Sequence, residues 1–183
     1  KVGVIFGHGA HFCAGLDLAE HAERTPFEGV LHSRKWHKIF NEIERGPIPF
    51  VVALHGAVVG GGLELAASAQ IRVAEEETFF GLPEGQRGIF VGGGGSVRIQ
   101  RLMGFGRMAD LMLTGRVLTV EEGERFGLCQ YVTPKGESLE RAKQLARRIA
   151  KNAPLTNWAV ASCLNRVNDM SHNDGLFVET LIS

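Results

Sequence analysis

The sequence has little of several features that mark specialised classes of protein. Its 20 basic residues balance 20 acidic residues, so net charge does not favour binding to nucleic acid. No apolar run approaches the roughly 20 residues of a membrane-spanning helix. The three cysteines, Cys13, Cys129 and Cys163, are scattered without metal-ligand spacing, which indicates free thiols in a reducing compartment. We therefore predict a cytoplasmic protein with no nucleic-acid partner, no membrane partner and no metal site.

Both ends of the sequence are abrupt. The chain begins at Lys1, without Met, and runs directly into an apolar segment; it ends at Ser183 after an apolar helical pattern. We expect the central part of a longer polypeptide. A targeting segment lost with the N-terminus leaves the mitochondrial matrix as an alternative to the cytoplasm. Hydrophobic residues make up 44% of the 183 residues, which is enough for a substantial core in about one domain.

The most informative stretch covers residues 53–66, with the sequence ALHGAVVGGGLELA. A strand predicted at Phe50–Leu54 passes through three glycines into a helix predicted over 62–69. Glycine allows positive φ and close approach of a ligand, and the first N–H groups of a helix lack internal partners. The turn therefore predicts a site for a phosphate or an oxyanion, with Glu64 on the first helical turn. On these residues alone, a close-packed turn with Glu64 as an ordinary first-turn acid is an equal alternative.

Strands and helices alternate along the first half of the chain. Strands are predicted at 2–6 and 71–74, on either side of the glycine-rich stretch. Helices are predicted over 19–24 and, after a break at Thr25-Pro26, over 33–45, where apolar residues recur with helical spacing. This alternation predicts an α/β fold with parallel strands and right-handed crossovers.

A second glycine-rich turn also has a glutamate beside it. Glu84 precedes the run Gly92–Gly95, which opens a helix predicted over 97–103. For Glu84 alone, a loop carboxylate facing water is the alternative. The earlier acidic run, Glu75–Glu77, predicts a solvated turn.

The last third of the chain is predicted to be mainly helical. Thr119 and Glu122 have the spacing of a capping box, and a final strand is predicted over 128–132. An amphipathic helix follows over 138–151. Its basic outer face indicates a solvated or interface surface rather than a nucleic-acid site.

Taken together, four motifs resemble the crotonase family of enoyl-CoA hydratases and isomerases. They occur in the family's order and spacing over nearly the whole chain, and they are His11–Leu18, His55–Ala66, Phe80–Glu84 with Gly92–Gly95, and Leu113–Gly115 with Glu122–Gly127. The resemblance implies an α/β fold built as a spiral of ββα repeats over residues 1–135. A C-terminal helical region for packing and oligomerisation would follow over 136–183, with both ends incomplete.

The resemblance also implies an activity and its site. The backbone N–H groups of Leu16 and Gly61 would form an oxyanion hole around the thioester carbonyl of an acyl-CoA. Glu64 and Glu84 would flank a water and act as general acid and base, which favours an enoyl-CoA hydratase. Coenzyme A would enter as part of the substrate, with no further cofactor, and the chain would form a homotrimer or a dimer of trimers. The implied substrate and CoA contacts are Cys13, Ala14, Gly15, Asp17, Leu18, Gly60, Arg87 and Gly92.

Two departures from the family pattern leave alternatives open. Arg87 stands where many hydratases have an aliphatic residue; it either serves an unusual acyl group or forms a surface ion pair. Val91 stands where a proline commonly precedes the glycine run.

Other reactions of the family, which stay open as alternatives, are isomerisation, hydration coupled to carbon–carbon cleavage, and decarboxylation. A non-catalytic binding subunit is the alternative from another class.

Overall fold

The computed structural model describes residues 1–17 and 24–183. Within these residues the main sheet is parallel, with the strand order β1-β2-β4-β7. Its strands are β1 (Gly3–Phe6), β2 (Phe50–Leu54), β4 (Ile71–Glu75) and β7 (Tyr131–Thr133). The structure confirms the predicted parallel arrangement and the first three predicted strands of this sheet. The last strand is shorter and later than predicted, because Leu128 is buried in the core and only residues 131–133 pair with β4.

A second, smaller sheet was not predicted from the sequence. It has the order β3-β5-β6 and consists of β3 (Ala57–Val59), β5 (Phe79–Gly81) and β6 (Val117–Leu118). β3 lies inside the stretch that we predicted as a glycine-rich turn. Its parallel pairing with β5 joins residues more than 20 positions apart, and no local pattern shows such a pairing.

Eight α-helices surround these sheets in the described residues. They are α1 (Pro26–Arg45), α2 (Gly61–Ser68), α3 (Gly95–Met103), α4 (Phe105–Thr114), α5 (Val120–Arg125), α6 (Ser138–Ile149), α7 (Pro154–Val167) and α8 (His172–Ile182). A 3-10 helix covers Pro83–Arg87. In the described part of the chain, no helix combines the length and apolar character needed to cross a membrane. The helix predicted over 19–24 lies almost wholly outside the described residues.

Helix α1 begins much earlier than the sequence prediction placed it. The segment Thr25-Pro26, interpreted as a break, is the start of the helix. The Thr25 side chain accepts a hydrogen bond from the backbone N–H of Glu28, and the Glu28 carboxylate accepts one from the Thr25 N–H. Pro26 occupies the first helical position, where its missing N–H costs nothing. The helix therefore begins seven residues earlier than predicted, and four of these residues, Pro26, Gly29, Val30 and His32, line the cavity described below.

The two faces of the main sheet bury alternate residues. On one face Val51, Ala53 and Val73 pack against α6 through Ala142 and Leu145. This confirms the predicted apolar face of that helix. Each fully buried valine side chain of this core contributes roughly 1.5–3 kcal/mol.

The other face of the main sheet contributes to the larger core. Val52, Leu54 and Ala74 pack there with residues from the second sheet and from α2 to α4. Strand side chains alternate between faces, so a single parallel sheet contributes to both cores.

The division of the chain into a spiral core over residues 1–135 and a helical region over 136–183 stays a prediction.

The prediction of a solvated turn at Glu75–Glu77 is wrong for its first residue. Glu75 is the last residue of β4 and is buried, and its carboxylate accepts a hydrogen bond of 2.9 Å from the Ser138 hydroxyl. Glu76 and Glu77 are exposed, and Glu77 pairs with Lys135. The partner that makes the burial of Glu75 tolerable lies 63 positions away, at the start of α6.

Replacement of Thr119 by alanine is expected to destabilise the protein by about 1 kcal/mol. The Thr119 hydroxyl accepts from the Glu122 N–H at 3.4 Å, and the Glu122 carboxylate accepts from the Thr119 N–H at 3.2 Å, so the predicted capping box of α5 is confirmed. Urea denaturation measures the change. Thr119→Ser keeps the hydroxyl and should retain most of the stability; an equal loss in both variants would contradict the capping role.

Candidate active site

The loop after β1 runs alongside β3 and is fixed there by backbone hydrogen bonds. Cys13 donates to the Ala57 carbonyl at 3.1 Å, and Val59 donates to the Cys13 carbonyl at 3.1 Å. Gly15 follows with a φ of 101°, and a Cβ on it would lie 3.0 Å from the Val59 carbonyl oxygen. The loop can therefore lie this close to β3 only with glycine at position 15.

The start of α2 is held in the same place by the second sheet. Gly60 has a φ of 56° and donates a hydrogen bond of 2.9 Å to the carbonyl of Gly81 in β5. Gly61 is then the first helical residue, and a Cβ on it would lie 3.7 Å from the Leu16 amide nitrogen. The two backbone amides predicted to act together, those of Leu16 and Gly61, are thus neighbours.

These two amides are available to a ligand. Within residues 1–17 and 24–183, neither the Leu16 N–H nor the Gly61 N–H donates a hydrogen bond. The Gly61 amide also lies at the positive end of the α2 dipole. Two such donors side by side fit an oxygen atom that carries negative charge.

Glu64 is buried on the first turn of α2, where its carboxylate is held by the second glycine-rich run. Its Oε1 atom accepts hydrogen bonds from the backbone N–H of Gly93, at 2.8 Å, and of Gly95, at 2.7 Å. Burial raises the pKa of Glu64, while the two amide hydrogen bonds oppose this rise because they stabilise the ionised form. The two glycine turns that the sequence showed separately therefore meet at one carboxylate.

Glu84 is buried in the 3-10 helix and has a different environment. Its Oε1 atom lies beside Gly60, where a Cβ would approach to 2.9 Å, and its buried Oε2 atom has no hydrogen-bond partner in the described residues. Burial raises the pKa of Glu84, the charge of Glu64 raises it further, and the positive charge of Arg87 lowers it. The alternative that Glu84 faces water as a loop carboxylate is wrong.

Both glutamates line one cavity of about 900 Å³, whose wall is mostly apolar. The cavity brings together ten of the predicted site residues, which are Cys13, Ala14, Gly15, Leu16, Gly60, Gly61, Glu64, Glu84, Arg87 and Gly92. Asp17 is exposed and is not among the described residues that line it. Leu18 lies outside the described residues.

Arg87 is exposed at the edge of this cavity. It forms no ion pair within the described part of the chain, so the surface ion pair that we considered for it is absent there. Its charge acts on Glu84.

Sequence reasoning missed the wall that α1 contributes. Ser33, Trp36 and His37 line the cavity from this helix, and Gly93 of the glycine run also lines it. Trp36 is one of the apolar residues that recur with helical spacing over 33–45. The start of the helix was predicted too late to show how much of α1 faces the site. Nothing in the sequence linked Gly93 to Glu64.

The chemistry that this arrangement allows is acid–base chemistry beside two free backbone amides. Across residues 1–17 and 24–183, no cluster of histidine, cysteine, aspartate or glutamate has the geometry of a metal site. Two buried carboxylates can exchange protons with a bound molecule, while two free amides stabilise charge on its carbonyl oxygen.

This combination of a parallel sheet, a small second sheet and surrounding helices is the crotonase fold. A crystal structure of a provisionally named enoyl-CoA hydratase from Rhodopseudomonas palustris has 51% sequence identity to this chain. The superposition covers 100% of this chain and 70% of the other protein's chain, with a TM-score of 0.95. The predicted fold class is thereby confirmed.

The sequence comparisons give the same result at the level of the family. The profile of the enoyl-CoA hydratase/isomerase family matches residues 1–180, so the chain belongs to this family. Enoyl-CoA hydratase EchA19 of Mycobacterium tuberculosis is 30% identical over 98% of the chain. The short-chain-enoyl-CoA hydratase of Clostridium acetobutylicum is 35% identical over 85% of the chain. The chain spans 68% of the length of the first relative and 59% of the second.

Proposed function

We propose that the protein is an enoyl-CoA hydratase, which adds water across the 2,3-double bond of an acyl-CoA thioester. The observation that carries the proposal is the pair of buried glutamates, Glu64 and Glu84, on one cavity wall beside the free amides of Leu16 and Gly61. The family's name covers both hydratases and isomerases. A second carboxylate supports hydration, because one carboxylate can accept a proton from the water while the other donates a proton to C2.

The thioester carbonyl would lie against the amides of Leu16 and Gly61. As the water oxygen bonds to C3, electron density moves to C2 and to the carbonyl oxygen, which becomes enolate-like. Donors that are already aimed at this oxygen stabilise that charge without reorganising, and one such donor contributes about 2.7–4 kcal/mol to lowering the barrier. The substrate supplies the coenzyme A, and no further cofactor is needed for this step.

The environments of the two carboxylates support different roles for them. Two backbone amides bind the Glu64 carboxylate and oppose the rise in its pKa that burial causes, which suits it to hold the water and take its proton. Glu84 has a buried oxygen without a partner and lies near the charge of Glu64, which favours its protonated form. Glu84 would then deliver a proton to C2, and the proton taken by Glu64 would return to Glu84 before the next turnover.

The remaining cavity wall supports an apolar acyl group. Val30, Trp36, Ile89 and Phe90 line it beyond the glutamates. The exposed Arg87 lies at its edge. The predicted substrate and CoA contacts are part of this proposal, and they are those of Cys13, Ala14, Gly15, Asp17, Leu18, Gly60, Arg87 and Gly92. A homotrimer or dimer of trimers and a cytoplasmic location also stay proposals.

The direct test follows the loss of absorbance of the conjugated enoyl thioester, with crotonyl-CoA and a longer trans-2-enoyl-CoA. We expect a 3-hydroxyacyl-CoA product from the unmodified protein and a loss of about 10²–10⁴-fold in kcat for Glu64→Gln. The glutamine can keep both amide hydrogen bonds through its carbonyl oxygen, so the variant tests the charge rather than the fold. Unchanged turnover in Glu64→Gln would exclude the two-carboxylate mechanism. Conversion of a trans-3-enoyl-CoA without hydration would identify an isomerase instead.

A further inference from the structure

The loop that holds Glu64 is itself held by helix α1. The Ser33 hydroxyl donates a hydrogen bond of 2.6 Å to the carbonyl oxygen of Gly92. The backbone N–H of Gly93, which donates to Glu64, belongs to the same peptide group as that carbonyl. Ser33 and Glu64 therefore bind the two ends of one peptide group.

A peptide group is planar, so a contact at one end constrains the other. Fixing the Gly92 carbonyl oxygen fixes the direction in which the Gly93 N–H points. A donor on the oxygen also polarises the N–H, since hydrogen bonds in a chain strengthen one another. Gly92 and Gly93 have no side chains of their own to hold this peptide in place, and the side chain that binds its carbonyl oxygen is that of Ser33.

The next peptide of the loop is fixed separately. Arg98 donates from Nη1 to the Gly93 carbonyl at 2.9 Å. The same buried guanidinium binds Glu44 of α1 at 2.9 Å and Asn41 of α1 at 2.6 Å. Helix α1 thus holds the Gly92 carbonyl directly and the Gly93 carbonyl through Arg98. Removal of the Ser33 hydroxyl would release only the Gly92 carbonyl.

We propose that Ser33 is a positioning residue for Glu64: it orients the Gly92–Gly93 peptide so that the Gly93 N–H stabilises the ionised carboxylate. The structural part of this proposal concerns the free protein. Only its kinetic consequence rests on the proposed hydratase activity.

Two other titratable groups act on Glu64 and must be separated from Ser33. His37, on α1, lowers the pKa of Glu64 when charged, and its Nε2 atom lies 3.5 Å from the Ser33 hydroxyl. Glu84, on the 3-10 helix, interacts with Glu64 through its charge. A His37→Gln background removes the histidine from the comparison.

The test compares Ser33→Ala with Ser33→Thr, which keeps a hydroxyl, and with Ser68→Ala. Ser68 is a matched control because its hydroxyl also donates to a backbone carbonyl at 2.6 Å, and this carbonyl belongs to Leu65 of α2 rather than to the glycine loop. Circular dichroism and thermal unfolding establish that each variant folds. The first readout is the titration of the Glu64 side-chain carboxyl by ¹³C NMR in the free protein, assigned with Glu64→Gln.

We expect Ser33→Ala to raise the pKa of Glu64 above that of the unmodified protein, also in the His37→Gln background, because the ionised form loses part of its stabilisation. Ser33→Thr should restore the original titration, and Ser68→Ala should not change it. In kinetics, Ser33→Ala should move the acidic limb of the kcat/KM profile to higher pH and lower kcat/KM near neutrality by about 3- to 10-fold.

An identical Glu64 titration in Ser33→Ala and the unmodified protein would overturn the proposal. So would a shifted titration that Ser33→Thr, correctly folded, fails to restore. Absence of enoyl-CoA turnover in the unmodified protein would count against the hydratase proposal alone, because the carboxyl titration decides on Ser33 without any substrate.

Discussion

Replacement of Gly61 by proline is expected to lower kcat/KM for the proposed enoyl-CoA hydration by about 10²–10³-fold, through loss of one donor of the proposed oxyanion hole. Proline has no N–H, and Gly61 is the first residue of α2, a position where proline fits a helix. The preceding Gly60 has φ 56° and ψ −125°, the mirror image of an extended conformation, which a glycine before proline can keep. The helix should therefore survive while the amide is lost.

Gly61→Ala is the matched control for this variant. It keeps the N–H, and its Cβ would meet only ordinary contacts at 3.7 Å, with Gly15 and Leu16. Its kcat/KM should stay close to that of the unmodified protein. The carbonyl stretching frequency of a bound enoyl thioester, measured by infrared spectroscopy, gives an independent readout: it should be lowered in Gly61→Ala and closer to that of the free thioester in Gly61→Pro. Similar activity in the two variants would show that the Gly61 amide does not bind the reacting oxygen.

Glu84→Gln is expected to abolish most of the proposed hydratase activity, by about 10²–10⁴-fold in kcat, because an amide cannot deliver a proton to C2 as we propose for Glu84. The same variant should be more stable than the unmodified protein above neutral pH. The Glu84 carboxylate is buried with one oxygen that has no partner in the described residues, so its ionised form destabilises the folded state. We expect a gain of about 0.5–2 kcal/mol in the free energy of unfolding.

The sign of the pH dependence follows from the raised pKa of Glu84. Burial raises this pKa in the folded state above its value in the unfolded chain. The stability linked to the proton on Glu84 is therefore fully present below the unfolded pKa and is lost as pH rises through the folded pKa. The advantage of Glu84→Gln should be largest in alkali and should vanish in acid.

Urea denaturation at several pH values measures this difference. Glu76→Gln, which removes a charge from an exposed glutamate, is the control and should change the free energy of unfolding by less than about 0.5 kcal/mol at any pH. A Glu84→Gln variant that is less stable than the unmodified protein above neutral pH would mean that the carboxylate is better solvated than the structure indicates.

Much of the fold could be predicted because its signals are local. The capping box at Thr119, the apolar face of α6 and the strand Phe50–Leu54 are each recorded in residues that are neighbours in the chain. Alternating strands and helices then predicted the parallel sheet. The second sheet could not be predicted, since β3, β5 and β6 are two or three residues long and are stabilised by pairing with distant segments.

The sequence predicted which residues belong to the candidate site, but it did not predict how they lie relative to one another. Glu64 and Glu84 were identified by their place in motifs, as were the amides of Leu16 and Gly61. The contribution of α1 was missed because Thr25-Pro26 was interpreted as a break, whereas Thr25 and Glu28 cap the start of this helix. Ser33 has no motif of its own, and only its distance to Gly92 shows its place in the site.

The sequence by itself determined which chemical groups this protein possesses and which segments form helices and core strands. It does so because backbone propensity, capping and apolar spacing depend on residues close together in the chain. The tertiary structure decided which carboxylate is held by amides and which is left with an unpartnered oxygen. The hydrogen bonds to Glu64 come from residues 29 and 31 positions away, and burial removes water from both glutamates only when the sheets and α1 have packed. Desolvation and long-range hydrogen bonding set proton affinity, and both arise only in the folded chain.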